Sequence, residues 1–177
     1  MDISKITIGK NPPEDLNVII EIPMRADPIK YEIDTESGAI LVDRIQTAAM
    51  YYPANYGFVP HTLCGDGDAL DVLVVCDYPL ITGSVINVRP IGVIMMEDEG
   101  GMDEKIVAVP SIKIDKSQKH INDIKDLPEL FVKSIVHFFE HYKDLEDGKW
   151  VKIGAVEGAE SAKKLIEKAI TLASQKQ

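Results

Sequence analysis

The chain has 177 residues, 45% of them hydrophobic and 27% charged, and this length and composition predict one globular domain over residues 1–177. The formal net charge of −10 argues against binding to nucleic acid or to an anionic membrane, because phosphate binding needs a basic surface. The two cysteines, Cys64 and Cys76, match neither a disulfide framework nor a zinc motif.

The N-terminal segment lacks a basic region followed by an apolar core, which is the pattern of a secretory signal. No apolar run approaches the ~18 residues that a membrane-spanning helix requires. These features, together with the unpaired cysteines, lead us to expect a cytoplasmic protein.

The first half of the chain is rich in strand patterns. A β-rich run covers residues 17–22, and two alternating runs at 29–33 and 39–45 are joined by the polar, glycine-ended loop of a hairpin. Residues 51–60 are aromatic and interrupted by proline and glycine, so we expect a packed irregular segment there.

Several polar side chains in this half have more than one interpretation. Glu21 ends an apolar strand and is either a solvated edge residue or part of a site. Lys30 and Glu32 share one face of their strand, which is either an exposed face of the hairpin or a functional one. Tyr52 and Tyr56 are either core anchors or ligand donors, because a buried hydroxyl needs a partner.

In the second half, a long β-branched run covers residues 84–96, with a bend or bulge expected at Pro90 and Gly92. A shorter strand follows at 106–109 and another at 149–153.

Two helices are predicted after the strands. The first has an N-cap signal at Asp126 and ends at Gly148, and the second covers residues 159–173. The apolar stripe of the first helix is Phe131, Ile135, Phe138, Tyr142 and Leu145. Strands followed by helices predict an α+β fold, with a twisted antiparallel sheet or closed barrel and the helices packed against it.

Three aspartates lie within six residues, immediately before an apolar run at 72–75. Packing Asp66, Asp68 and Asp71 together raises their electrostatic free energy, because like charges repel most strongly when they are buried. Mg²⁺ or Ca²⁺ would offset the repulsion, since both ions prefer oxygen ligands. The spacing does not fit an EF-hand, because Leu70 stands at the fifth position and a strand follows.

A second acidic loop, at residues 97–104, has five carboxylates ahead of Lys105. Further basic residues, Lys30, Arg44 and Lys143, are scattered along the chain. Phosphoryl chemistry uses metals held by carboxylates, with lysine or arginine neutralising the developing negative charge. The residues alone therefore indicate a metal-dependent phosphohydrolase.

The segment His137-Phe138-Phe139-Glu140-His141 matches H-x-x-E-H, the inverted zinc-protease motif. Its histidines lie one turn apart on the predicted helix, as zinc binding needs. The motif is short, however, and a zinc hydrolase needs a third ligand that the sequence does not identify. We interpret His137 and His141 as a packing or subunit-contact face.

Residues 66–74 closely resemble the D-G-D-P-x-D-V-L-V signature of family I soluble inorganic pyrophosphatases, with Ala69 where the family usually has proline. Further segments resemble that family in the right order, from about residue 12 to residue 153. They are Glu21-Ile22-Pro23, Lys30-Tyr31-Glu32, Asp43-Arg44, Tyr52-Pro53-Ala54-Asn55-Tyr56-Gly57, Asp98 to Lys105 and His137 to Lys143. In size and pattern the chain resembles the bacterial members of this family.

The resemblance implies hydrolysis of diphosphate to two orthophosphates with several Mg²⁺ ions. It implies that Asp68 is the general base that accepts a proton from the attacking water. The implied metal ligands are Asp66, Asp71, Asp98, Asp103, Glu21 and Glu32. The implied substrate-binding residues are Lys30, Arg44, Tyr56, Lys105, Tyr142 and Lys143, with Tyr52 as a supporting neighbour.

The resemblance also implies a small closed, antiparallel-rich, OB-like β-barrel with two main C-terminal helices packed outside it. Bacterial members are typically homohexamers, which makes His137 and His141 candidate interface residues. Two other classes stay open at this point. One is an OB-like nucleic-acid-binding protein, which the negative charge disfavours, and the other is a calcium-binding structural module.

Overall fold

The computed structural model describes residues 1–176, and Gln177, the last residue of the predicted domain, lies outside the described residues. The strands are β1 (Leu16–Ile22), β2 (Ile29–Ile33), β3 (Ile40–Ile45), β4 (Asn55–Phe58), β5 (Asp71–Val74), β6 (Val85–Asp98), β7 (Gly101–Met102), β8 (Lys105–Pro110) and β9 (Val151–Gly158). The helices are α1 (Glu129–His141) and α2 (Ala159–Lys176).

Five strands form a closed ring. Their order is β1, β4, β5, β8 and β6, and β6 pairs back with β1. Only the β5–β8 pair in this ring is parallel, while the other pairs are antiparallel. Strand β6 extends beyond the ring and also pairs with β7 and β9. The predicted α+β fold, with a closed antiparallel-rich barrel and two C-terminal helices, is therefore confirmed.

The hairpin of β2 and β3 forms a separate two-stranded sheet. It is joined to the barrel at Glu21, where a carboxylate oxygen accepts a hydrogen bond of 2.9 Å from the backbone N–H of Ile33. Most of β3 is exposed, whereas Ile33 at the end of β2 is buried. The hairpin therefore lies against the barrel and leaves one side open to solvent.

The aromatic segment at 51–60 is not irregular throughout, because β4 lies within it and all four of its residues are buried. Gly57 explains why a strand forms in a stretch rich in turn residues. A Cβ atom at this position would lie 2.0 Å from the carbonyl oxygen of Ile19 in β1. Glycine thus permits a close approach between paired strands, and the prediction of an irregular segment is wrong here.

The helix boundaries differ from the predicted ones. Helix α1 begins at Glu129 and ends at His141 rather than at Gly148, and Leu145 is exposed instead of continuing the apolar stripe. Asp126 does not cap α1. It completes a capping box with Asp123 around the short 3₁₀ turn Ile124–Asp126. Strand β9 and helix α2 are both longer than predicted.

Alternating side chains of the strands enter two hydrophobic clusters. Leu73 and Val107 belong to the cluster that also contains Phe138 of α1. Their neighbours Val72 and Ile106 belong to the cluster that contains Ile166 of α2. This division follows from the two-residue side-chain period of a strand, so the two helices lie against opposite faces of the same strands. Among residues 1–176, no helix is long and apolar enough to cross a membrane.

Candidate active site

One cavity brings together six residues that the sequence predicted as site residues. It lies between the barrel and the β2–β3 hairpin, and Ile33, Thr35, Phe58 and Ala69 complete its lining. The predicted residues that line it are Glu21, Lys30, Glu32, Tyr56, Asp68 and Asp71. They come from β1, β2, β4, the loop before β5 and the first residue of β5, which are distant in sequence.

Glu21 is a buried carboxylate rather than a solvated edge residue. Burial raises the pKa of Glu21 to about 8, and the N–H group of Ile33 only partly offsets this effect. The nearby charge of Asp71 raises the pKa further. A cation close to such a buried carboxyl group would favour its ionised form.

Asp68 lies on an exposed turn at the edge of the cavity. Its backbone N–H donates to Asp66 Oδ1 at 3.0 Å, and Gly67 between them has φ of +100°, a left-handed conformation that glycine adopts without strain. The pKa of Asp68 is raised by partial burial first, and then by the negative charges of Asp66 and Asp71. The turn thus presents the Asp68 carboxylate towards the cavity with an increased proton affinity.

Lys105 links two of the predicted acidic residues. Strands β5 and β8 run in parallel, with Val72 opposite Ile106, so their first residues, Asp71 and Lys105, meet at one edge of the sheet. The buried Nζ atom of Lys105 contacts the carboxylates of both Asp71 and Asp103. Burial alone would lower the pKa of Lys105, but these two carboxylates raise it above its usual value.

The same arrangement affects Asp103 and Tyr56. Burial raises the pKa of Asp103, and the charge of Lys105 opposes that rise while the charge of Asp71 adds to it. Lys105 Nζ also donates to the Tyr56 hydroxyl at 3.3 Å. Burial raises the pKa of Tyr56 well above its usual value, so the phenol keeps its proton.

A second group of charges lies where β6 ends and the chain leaves α1. Lys143 Nζ is 2.7 Å from Asp98 Oδ2 and 3.4 Å from Glu99 Oε1. Glu99 also pairs with Lys149 at 2.5 Å. The sequence predicted Asp98 and Lys143 but missed Glu99 and Lys149. The unusual density of carboxylates at 97–104 could have indicated both residues, because so many negative charges require nearby cations.

The basic residues of the hairpin form a chain of ion pairs. Lys30 Nζ lies 2.5 Å from Glu32 Oε1 and 3.4 Å from Asp43 Oδ2. Asp43 in turn accepts from Arg44 Nε at 2.8 Å. Arg44 Nη1 donates to Glu146 at 2.6 Å. Sequence reasoning missed Glu146, because nothing in its local pattern indicates contact with a strand so far away in the chain.

Aromatic rings connect the part of the site near the barrel with the part near α1. The ring centroids of Tyr52 and Tyr56 are 5.1 Å apart, and those of Tyr52 and Phe138 are 4.7 Å apart. Tyr142 stacks on Phe138 at 5.3 Å. Burial raises the pKa of Tyr142 above its usual value, and Asp103 and Asp98 add to the rise. Tyr142 thus remains a protonated hydrogen-bond donor beside the acidic residues.

The remaining predicted residues do not line the cavity itself. They are Arg44, Asp66, Asp98, Asp103, Lys105, Tyr142 and Lys143. Three of them, Arg44, Asp103 and Lys105, connect to it through the ion pairs of Lys30 and Asp71 described above. His137 and His141 lie elsewhere, on the exposed side of α1, so of the two predicted roles the subunit contact remains a prediction.

Comparisons with known proteins agree with the motifs. A family model described as inorganic pyrophosphatase matches residues 18–174. The inorganic pyrophosphatase of Agrobacterium fabrum is 58% identical over 170 residues, covering 96% of both chains. That of Escherichia coli K12 is 59% identical over 163 residues, covering 92% of this chain and 93% of its own.

The fold agrees as well. A crystal structure of an inorganic phosphatase from Anaplasma phagocytophilum superposes with a TM-score of 0.95 at 50% identity, covering 96% of this chain and 99% of that one. Sequence and fold thus agree over nearly the whole length. The chain belongs to the inorganic pyrophosphatase family of enzymes, as its motifs predicted.

Proposed function

We propose that this protein hydrolyses inorganic diphosphate to two orthophosphates at the cavity between the barrel and the hairpin. The observation that carries the proposal is the convergence of carboxylates and cations from distant strands, with Asp68, Asp71 and Lys30 lining one cavity. Hydrolysis of a compact polyanion needs both kinds of group, because negative charge must be bound and water must be deprotonated.

The donor set fits Mg²⁺, which prefers carboxylate oxygens. Burial and the charge of Asp71 raise the pKa of both Glu21 and Asp103, and a cation bound beside them would favour their ionised forms. The residues that would hold the ions are Asp66, Asp71, Asp98, Asp103, Glu21 and Glu32. Bound Mg²⁺ supplies positive charge that polarises phosphate oxygens and eases the deprotonation of water.

The substrate oxygens would be bound by the basic and phenolic groups around the cavity. Lys30 lines it directly, and Tyr56 contributes a hydroxyl whose high pKa keeps it a donor. Arg44 and Lys143 approach from the hairpin and from the segment after α1, each held by a carboxylate. Lys105 and Tyr142 complete the set. Fixed donors of this kind neutralise charge that develops on the leaving phosphate.

Asp68 would act as the general base. Its carboxylate lies on a turn at the cavity edge, where it can accept a proton from water that attacks the phosphorus. Partial burial and the charges of Asp66 and Asp71 raise the pKa of Asp68, which increases its proton affinity. No covalent intermediate is required, because positioning and charge stabilisation suffice for phosphoryl transfer to water.

The direct test is orthophosphate release from diphosphate with Mg²⁺ and with excess chelator. We expect two orthophosphates per diphosphate and loss of release with chelator. Absence of metal-dependent release would contradict the proposal.

A calcium-binding structural module would keep its fold and its ion after Lys30→Ala or Arg44→Ala, whereas a phosphohydrolase would lose activity. Failure to bind an oligonucleotide at low salt would exclude a nucleic-acid-binding module.

We further propose that residues 1–177 form one domain, that the protein is cytoplasmic and that it assembles as a homohexamer. Ile40, Leu41 and Val42 of β3 and Ile81 are large apolar residues at the surface, between 50% and 80% exposed. Apolar surface of this kind favours contact with further copies of the chain. His137 and His141, exposed on α1, remain candidate contact residues. Light scattering on the purified protein tests this by its mass, which should be six times that of the chain.

A further inference from the structure

A buried threonine hydroxyl lies at the base of the turn that carries the proposed general base and two proposed metal ligands. Thr62 is only 7% exposed. Its Oγ1 accepts a hydrogen bond of 2.9 Å from the backbone N–H of Leu70 and donates one of 2.6 Å to the carbonyl oxygen of Val59. Leu70 directly precedes Asp71 and lies two residues after Asp68. Thr62 is therefore bonded to the backbone between those two carboxylates.

This hydroxyl is inserted into the ladder between β4 and β5. The two strands are antiparallel with Phe58 opposite Asp71, and the same register places Val59 opposite Leu70. The Val59 N–H donates directly to the Leu70 carbonyl at 2.9 Å, as in an ordinary hydrogen-bonded pair. In the reciprocal direction, Thr62 Oγ1 stands between the Leu70 N–H and the Val59 carbonyl. The side chain therefore sets the separation of the two segments at the point where the turn begins.

The rest of the turn is held by backbone hydrogen bonds rather than by packing at its tip. The N–H of Cys64 donates to the Asp68 carbonyl at 2.7 Å, and the N–H of Gly67 donates to the Cys64 carbonyl at 3.2 Å. Beyond the chain neighbours, a Cβ atom built on Gly65 or Gly67 would meet no atom of residues 1–176 within 4 Å. Because packing does not restrain these two positions, the hydrogen bonds at the base of the turn determine where Asp68 lies.

We propose that Thr62 is a positioning residue for the active site, whose hydroxyl holds the turn so that Asp68 and Asp71 lie in the geometry that hydrolysis needs. The inference rests on the proposed function, in which Asp68 accepts a proton and Asp71 binds metal. Small displacements of such groups slow a reaction strongly, because ~1 Å of misplacement can lower a rate about 10²-fold. Lys30, which would bind substrate, lies on the hairpin outside this turn. The hydroxyl therefore acts on kcat more than on substrate binding.

Two substitutions separate the hydroxyl from the rest of the side chain. Thr62→Val keeps the size and branching of threonine but has neither donor nor acceptor, so the Leu70 N–H and the Val59 carbonyl lose their shared partner. Thr62→Ser keeps the hydroxyl and loses the methyl group. For diphosphate hydrolysis at saturating Mg²⁺, we expect kcat to fall about 10- to 100-fold in Thr62→Val, with KM within about twofold of the wild type. Thr62→Ser should keep kcat within about threefold of the wild type.

Stability is measured beside activity, because a buried hydroxyl with two partners also contributes to folding. Thermal melting identifies a temperature at which every variant is folded, and kcat is measured there. Thr62→Ala should match Thr62→Val and replaces it if valine prevents folding. Thr171→Val is the control, because it removes an exposed hydroxyl that donates within α2 and should behave like the wild type. The proposal is overturned if Thr62→Val keeps the wild-type kcat, or if Thr62→Ser loses as much activity as Thr62→Val.

A measurement without substrate keeps this test separate from that of the proposed function. Hydrogen–deuterium exchange over residues 63–71, read by mass spectrometry, should be faster by at least ~10-fold in Thr62→Val and unchanged in Thr62→Ser, because the Leu70 N–H loses its acceptor only in the former. If the wild type releases no orthophosphate, the proposed function fails, and exchange still tests whether Thr62 holds the turn. Unchanged exchange in Thr62→Val would contradict that role.

Discussion

The guanidinium of Arg44 in β3 is bound by Glu146, which lies 102 positions later in the chain, with 2.6 Å between Nη1 and Oε2. Arg44 also pairs with Asp43, so carboxylates hold it from two sides. The contact joins the hairpin to the segment after α1 and fixes the direction in which a proposed phosphate-binding group points. If Arg44 binds substrate as we propose, Glu146 would position it for that role.

Glu146→Gln should raise KM for diphosphate about 1.4- to fivefold and change kcat little. The expected effect follows from ~0.2–1 kcal/mol for a partly exposed ion pair. Steady-state kinetics at saturating Mg²⁺ provides the measurement. Glu129→Gln is the control, because it breaks an exposed pair with Lys133 on the first turn of α1. Equal KM values for the two variants would show that Glu146 does not position Arg44.

Asp68→Asn should lower kcat about 10²- to 10⁴-fold, the usual contribution of a general base, while metal and substrate affinities change only a few-fold. Asparagine keeps the size of the side chain but cannot accept the proton. Kinetics combined with calorimetric binding separates the two effects. Asp77→Asn, an exposed aspartate just after β5, should behave like the wild type. Collapse of metal affinity with turnover per bound substrate preserved would make Asp68 a ligand.

Much of the fold was predictable because its signals are local. The hairpin, the bulge in β6 and both helices follow from alternation, turn residues and helical stripes. Strand β4 was missed because its pairing depends on Gly57 approaching β1, which no local pattern reveals. The predicted family and enzyme class are confirmed. The individual roles of the site residues remain predictions, and Glu146 was missed because its contact is made only in the folded chain.

Phe138 should be a major contributor to stability, because it is 2% exposed and contacts the rings of Tyr52 and Tyr142. Phe138→Ala should lower the free energy of unfolding by about 3–5 kcal/mol, from lost burial and a residual cavity. Urea denaturation measures the change. Leu130→Ala, at an 80% exposed position of the same helix, should alter stability by less than ~0.5 kcal/mol. Similar losses for both variants would contradict this assignment.

Glu99 should make stability depend on pH in acid. Partial burial opposes its charge, but Lys149, a backbone N–H and Lys143 outweigh burial and lower the pKa of Glu99 to about 2. An unfolded glutamate has a pKa of about 4.3, so the stabilisation is complete above that pH and is lost as the pH falls towards about 2.

Glu99→Gln should therefore lower the urea midpoint at pH 7 in the presence of chelator, and the difference from the wild type should shrink below about pH 4. Glu36→Gln, an exposed residue of the hairpin loop, serves as the control and should show no such trend. A difference that grows as the pH falls would contradict the sign of the effect.

Cys64 should react slowly with alkylating reagents in the native protein. Burial raises the pKa of the Cys64 thiol to about 12, and Asp66 and Asp71 add to the rise. At pH 8 this leaves about one thiolate in ten thousand, and only the thiolate is the reactive form. Mass-spectrometric labelling with iodoacetamide should be at least ~100-fold faster in urea than in the native state. Comparable rates would show that the thiol is accessible and ionised.

Strand β6 makes contacts with segments that are synthesised long before it and long after it. Its early part faces β1, as in the contact between Asn87 and Asn17, 70 positions apart. Its late end carries Asp98, whose partner Lys143 lies 45 positions downstream. Pairing over such distances slows folding, because chain entropy is lost before the contacts form. A nascent chain that has not yet extended past Lys143 therefore holds Asp98 without its basic partner, so this group of charges is assembled late in translation.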